Sequence, residues 1–182
     1  MVDAAGLLGP FHIISYGSLL GLQVYQTFVG GIIAFRTLPR PQFSTLQASI
    51  FPVYFGLQTV LPAVVALTYP GERRFLAPGP SSISGLLAEG HRMTTLLPIL
   101  TVFISGLTNM LFVRPATARL MQKRKHQESI DGKKSYDPPP HSKEMMRLNK
   151  DFGRLHGISS LINLVALVAT VFYGKVLGDR LL

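Results

Sequence analysis

Residues 155–174 read LHGISSLINLVALVATVFYG, a run with no acidic or basic side chain. A helix rises about 1.5 Å per residue, so roughly 20 residues cross the ~30 Å hydrocarbon core of a bilayer. Three more windows, residues 11–35, 43–69 and 93–113, also lack Asp, Glu, Lys and Arg. A helix on the surface of a soluble domain keeps a charged or polar face for water, and these windows withhold charge all the way round. The pattern predicts an all-α integral membrane protein, an antiparallel bundle of four transmembrane helices forming a single domain over residues 1–182. Helix 3 is expected to continue past the bilayer as a cytoplasmic extension, followed by a mobile cytoplasmic linker over about residues 129–147.

Charge distribution orients the spans. Formal net charge is +9. Of 18 basic residues, 13 lie in the first and third connections, the third carrying Arg114, Arg119, Lys123, Arg124 and Lys125 in one short stretch. Basic residues favour the cytoplasmic side, so these connections are expected there, with both termini lumenal or exterior. The basic stretch reads as a collar for anionic lipid headgroups, each Lys or Arg contributing about 1 kcal/mol. It holds no aromatic residue for base stacking, so nucleic acid is not an expected partner. The N-terminal stretch MVDAAGLLGPF has no basic n-region, so the first window is expected to stay as a helix rather than be removed as a signal.

The polar residues inside the windows follow helical spacing. His156, Ser159, Ser160 and Asn163 are separated by 3, 4 and 7, as are Ser105 and Asn109 on helix 3 within a stripe that starts at Thr94. Gln23 and Gln26 mark one face of helix 1, and Gly17, Gly21 and Gly31 another; Gly157 sits beside His156. Lipid tails give helices no hydrophobic reason to associate. Small residues that admit a close backbone, and polar side chains that bond across helices, supply the attraction. The polar set is therefore expected to form an interhelical seam and the glycines to be close-packing positions, with helix 1 largely surrounded.

Catalytic and metal chemistry lack their usual components. The chain has no cysteine, and the histidines at 12, 91, 126, 141 and 156 show no ligand spacing. His156 and Ser160 are one turn apart, but Asp151 lies five residues before His156, about 140° around the helix, and cannot orient it as a triad acid does. No enzyme activity, cofactor or metal is expected. The leading expectation is a protein acting through helix packing with lipids or as an accessory subunit of a larger membrane complex, as a homo-oligomer or with a membrane protein partner. An oligomeric channel or small-solute exporter lined by Gln23, Gln26 and Gly30 is the alternative. The expected address is the endoplasmic reticulum or later secretory pathway, with a mitochondrial membrane as the other option.

Three longer stretches carry a resemblance. LPRPQFSTLQASIFPVYF (38–55), NMLFVRPATARLMQKRKHQE (109–128) and LNKDFGRLHGISSLINL (148–164) are similar to the eukaryotic transmembrane protein 205 family. The Pro-rich linker around Pro138–Pro140 and Arg114 before Pro115 depart from its pattern. The resemblance implies four membrane-spanning helices and no established reaction, cofactor or catalytic residue.

Overall fold

The computed structural model describes residues 4–70 and 81–179. Every regular element among them is helical: α1 (Ala4–Val24), α2 (Gly31–Thr37), α3 (Arg40–Leu67), α4 (Ser82–Leu87), α5 (Leu97–Thr108), α6 (Arg114–Asp131) and α7 (Lys143–Gly178), with short 3-10 and π-helical pieces between them. Four helical runs are long and apolar enough to cross a membrane: Leu8–Thr37, Arg40–Leu67, Arg92–Asp131 and Lys143–Gly178. The protein is an all-α integral membrane protein with four spans.

Prolines explain most of the irregularity. Pro39 precedes α3 in an extended conformation, so the chain reverses in a tight connection before Arg40. There the Arg40 guanidinium lies 3.7 Å from the centroid of the Phe35 ring, and Phe35 meets Phe43 edge-on, tying the two spans at their shared end. Within the third span, π-helical pieces at Arg92–Leu96 and Asn109–Val113 stand just before Pro98 and Pro115. A proline donates no N–H and its ring crowds the carbonyl four residues back. The preceding turn widens, and the N–H groups of Leu97 and Arg114 bond five residues back, to the carbonyls of Arg92 and Asn109.

The chain divides into two compact units. One comprises Met1–Leu107 with Asn163–Leu182, the other Thr108–Ile162. In the first, Val65, Tyr69, Leu86, Ile99 and Tyr173 form one buried cluster, and Leu19, Val102 and Ala166 a second. Leu86 comes from α4, so the apolar ISGLLA stretch sends one side chain into the core while Ile83 and Leu87 remain exposed. Within this unit the closest backbone approach occurs at Gly106, where an added Cβ would stand 2.9 Å from the Gln58 carbonyl. At Gly174 an added Cβ would overlap the Tyr16 hydroxyl.

Three of the four glycines expected to pack closely are open: a Cβ built on Gly17, Gly21 or Gly157 would meet nothing within 4 Å. Gly31 is the fourth, where an added Cβ would stand 3.1 Å from the Gln26 carbonyl and 3.8 Å from the Gln47 side chain of α3. The first span is also not surrounded. Only 11% of its most apolar stretch is buried, against 39% for the third span. The physical reason is that glycine spacing permits close packing without saying which face receives a neighbour.

The second unit is a helical hairpin. The expected linker narrows, because residues 129–131 and 143–147 are helical and residues 132–142 are tied by hydrogen bonds. Gly132 ends α6 in the left-handed conformation (φ 63°) that glycine adopts without steric cost. Ser142 caps α7, its Oγ accepting from the Met145 N–H at 3.1 Å and donating to Asp131 Oδ2 at 2.7 Å. Ser135 donates through both its N–H (3.0 Å) and its hydroxyl (2.5 Å) to Glu128 Oε1.

Substituting Gly106 by Ala should lower stability by about 1–3 kcal/mol, because the methyl group meets backbone that cannot rotate away. Gly17→Ala should be neutral or raise stability by up to about 1 kcal/mol through helix propensity. Thermal unfolding in mild detergent reads both, and equal shifts would refute the assignment of the close contact.

Candidate functional site

The first unit buries polar groups that the stripes on individual helices do not reveal. His12 is fully buried, with Thr68 and Tyr69 at the end of the second span and Tyr173 on α7 around it. Thr68 Oγ1 donates its single proton to the Val64 carbonyl at 2.7 Å. It can then only accept from His12 Nδ1, 3.3 Å away, which assigns the Nδ1–H tautomer. His12 Nε2 is left as an acceptor for the Tyr173 hydroxyl at 2.5 Å. The ring faces add edge contacts: His12 to Tyr69 at 6.1 Å, His12 to Tyr173 at 5.8 Å and Tyr16 to Tyr173 at 5.8 Å between centroids.

His91 extends the cluster. Its Nδ1 donates to the Gly85 carbonyl at 2.9 Å and its ring meets Tyr69 edge-on at 5.8 Å. Side chains from the first and fourth spans, from the residues that end the second and from the turn that leads into the third thus join in one buried node. A small cavity of about 10 Å³ adjoins it, lined in part by Tyr16, Leu19, Pro62, Val102 and Tyr173. That volume is at the lower limit for a single water.

Deeper in the same unit lie Gln23 and Gln58, both essentially inaccessible. The antiparallel register set by His12 against Thr68 and Phe35 against Phe43 puts these two amides at nearly the same depth. Among the described residues neither side chain has a hydrogen-bond partner for its oxygen or its nitrogen. Pro62 also supplies no N–H to the Gln58 carbonyl, and it is this carbonyl that Gly106 approaches. Gln26 is half-buried.

The predicted polar seam divides. Asn109 is fully buried and accepts the Ser159 hydroxyl at 2.8 Å, joining the third and fourth spans inside the second unit. Ser105 is buried and Asn163 half-buried. His156 and Ser160 are exposed, so the interhelical assignment does not hold for them. Ser160 follows Ser159 by about 100° of turn, which carries it off the contacting face. His156 stacks on Phe152 with an interplanar angle of 3°. At the start of the third span, Thr95 is buried and Thr94 exposed, the π-helical turn having shifted the phase of the stripe.

The basic collar divides as well. Arg114, Arg119, Lys123 and Lys125 are exposed. Arg124 turns inward instead: its guanidinium lies 4.5 Å from the Phe152 ring centroid and its Nε donates to Asn149 Oδ1 at 3.0 Å. Asn149 in turn donates to the Ser135 carbonyl at 3.1 Å. Arg124 therefore joins the hairpin to its connection and is not a free lipid contact.

Glu128 anchors that connection. Burial alone would raise its pKa, but the two bonds from Ser135, with Lys134 and Arg124 nearby, bring it below the ordinary carboxylate value. Among the described residues no group of three His, Asp or Glu side chains is placed to hold a metal ion.

Four uncharged spans, with hydrogen-bonding side chains meeting between helices, define a polytopic helical membrane protein. The comparisons with known proteins agree with that class. The chain belongs to the transmembrane protein 205-like family: the sequence profile described as Domain of unknown function (DUF4149) matches residues 14–126. Over 182 residues it is 31% identical to Xanthocillin biosynthesis cluster protein D of Aspergillus fumigatus, covering 100% of this chain and 96% of that one. It is 26% identical to Transmembrane protein 205 of Danio rerio over 182 residues, covering 90% of this chain and 87% of that one. No solved structure matches the chain.

Two outcomes follow. Tyr173→Phe removes the donor to His12 Nε2 and should cost about 1–3 kcal/mol of stability, whereas Tyr16→Phe should cost much less. Equal losses in thermal unfolding would refute the proton assignment. Because the folded-state pKa of Glu128 is depressed, its contribution is present above the unfolded carboxylate pKa and lost as pH falls through the folded value. Hydrogen-exchange protection of the Ser135 amide, corrected for intrinsic exchange, should therefore fall on acidification; protection that did not change would contradict the assignment.

Proposed function

We propose that the protein is a non-enzymatic membrane component that acts through lateral contacts, with anionic lipid at its basic side and with a membrane protein partner or second copy along its spans. The single observation that carries this reading is the open face at Gly17 and Gly21, one turn apart in the first span, where an added Cβ would touch nothing within 4 Å. A pair of glycines one turn apart lets another helix approach closely, and close approach is what drives association in lipid. Among the described residues that approach is unused.

An accessory role also suits the relative whose name places it in a biosynthesis cluster. The basic first and third connections support a cytoplasmic placement, with lumenal or exterior termini and an endoplasmic reticulum or later secretory address. A mitochondrial membrane is the other address. Neither a cofactor nor nucleic acid has a part in this reading. The channel or exporter reading is less well supported, because Gln23 is buried inside its own unit and offers no lining to a neighbouring subunit.

Native electrophoresis and native mass spectrometry in mild detergent test the proposal. The wild type should show an associated species that Gly17→Leu/Gly21→Leu reduces several-fold without lowering the unfolding temperature of the remaining monomer. A wild type that is strictly monomeric, with no co-purifying protein or lipid, would overturn it.

A further inference from the structure

The helical hairpin of α6 and α7 contains an open groove of about 510 Å³. Three of its lining side chains are cationic and exposed: Arg119 and Lys123 from α6 and Arg154 from α7. Leu120, Leu155 and Ile158 form its apolar part, graded from buried Leu120 through half-buried Leu155 to exposed Ile158. Asp151 also lines it, but this carboxylate faces Arg147 at 3.6 Å. None of the three cations is in an ion pair among the described residues. Lys123 acts at longer range on Glu144, whose carboxyl is held below its ordinary value first by the hydrogen bond from Arg147. The lining carries three positive charges against one negative, and the negative one is already engaged.

The depth of these residues selects the occupant. The uncharged window of the third span ends at residue 113 and that of the fourth begins at residue 155, so Arg154 stands at the hydrocarbon edge and Arg119 one to two turns beyond it. Side chains on a helix lean toward its N-terminus. The α6 helix leaves the membrane, so Arg119 and Lys123 lean back toward it. The α7 helix enters the membrane, so Arg154 leans outward. All three converge on the headgroup layer, while Leu155 and Ile158 continue into the depth occupied by acyl chains. Basic pockets between spans at this level suit anionic headgroups.

We propose that this groove is a binding site for an anionic phospholipid, its phosphate held by Arg119, Lys123 and Arg154 and its acyl chain lying against Leu155 and Ile158. The proposal rests on the lipid-contact part of the function proposed above and narrows a diffuse basic collar to one site. Arg114 and Lys125, equally exposed, lie outside the groove, and Arg124 is committed to Phe152 and Asn149.

The test is native mass spectrometry of the full chain in mild detergent, offered equal amounts of phosphatidylglycerol and phosphatidylcholine. The wild type should retain phosphatidylglycerol preferentially. Arg119→Gln/Lys123→Gln/Arg154→Gln should lose that preference by about tenfold or more. A control with the same change in charge, Arg114→Gln/Lys125→Gln/Lys150→Gln, should keep it, with both variants checked for unchanged helix content by circular dichroism. Excess inorganic phosphate should leave the lipid adduct in place. Equal loss in both variants would overturn the groove while leaving diffuse lipid contact standing, and so would displacement by free phosphate. A wild type with no preference for the anionic lipid would overturn the groove and the lipid contact together, independently of the associated species read by electrophoresis.

Discussion

Hydrocarbon offers no hydrogen bonds, and nearly every feature of this structure follows from that. Backbone groups are satisfied within helices, which is why the spans are helical throughout. Side chains that cannot be satisfied within their own helix turn toward one another. His12 accepts a hydrogen bond from Tyr173 and donates one to Thr68, and Asn109 accepts one from Ser159. Hydroxyls without such a partner fold back onto their own helix, as Thr59 does onto Phe55 and Thr101 onto Leu97. Gln23 and Gln58 are exceptions. These two buried amides at similar depth have no hydrogen-bond partner among the described residues, and they sit where Pro62 has already left the helix one hydrogen bond short.

The same constraint explains the helical irregularities. Pro98 and Pro115 each withhold an N–H, and the turn before each widens so that the N–H of the preceding residue reaches five residues back. The cost is a change of phase. Residues on either side of a π-helical turn no longer keep the 3.6-residue repeat, so one surface stripe crosses to another face. At the entrance to the third span this substitutes Thr95 for Thr94 inside the core.

Much of this was legible in the sequence, for identifiable reasons. Charge cannot be concealed in a bilayer, so the four uncharged windows marked the spans, and Pro39 and Pro41 marked the reversal between the first two. Ser105 and Asn109 share a face of the third span by their spacing, and Ser159 stands on the corresponding stripe of the fourth, which is what makes them visible in the sequence. The His12–Tyr173 pair was not found, since its members are 161 positions apart and each looks isolated on its own helix. Tyr69 and His91 flank a connection and belong to no stripe. Glycine spacing is ambiguous for a different reason: Gly17 and Gly21 have the same spacing signature as a packed face, and only the fold shows that Gly106 and Gly174 receive close neighbours. Arg124 could not be told from Lys123 by charge; its aromatic and amide partners lie on the other arm of the hairpin.

Within the second, third and fourth spans, Gln58, Ser105 and Thr170 turn inward while Val60, Ile104 and Val168 turn to lipid. The chain has no native cysteine, so single spin labels can be placed at will. Collision rates with oxygen in bilayers should be compared between neighbours at equal depth: Val60 with Gln58, Ile104 with Ser105, and Val168 with Thr170. High oxygen access is expected at the first member of each pair, all exposed, and low access at the second, all buried. Equal access within the pairs, or greater access at Gln58, Ser105 and Thr170, would contradict it.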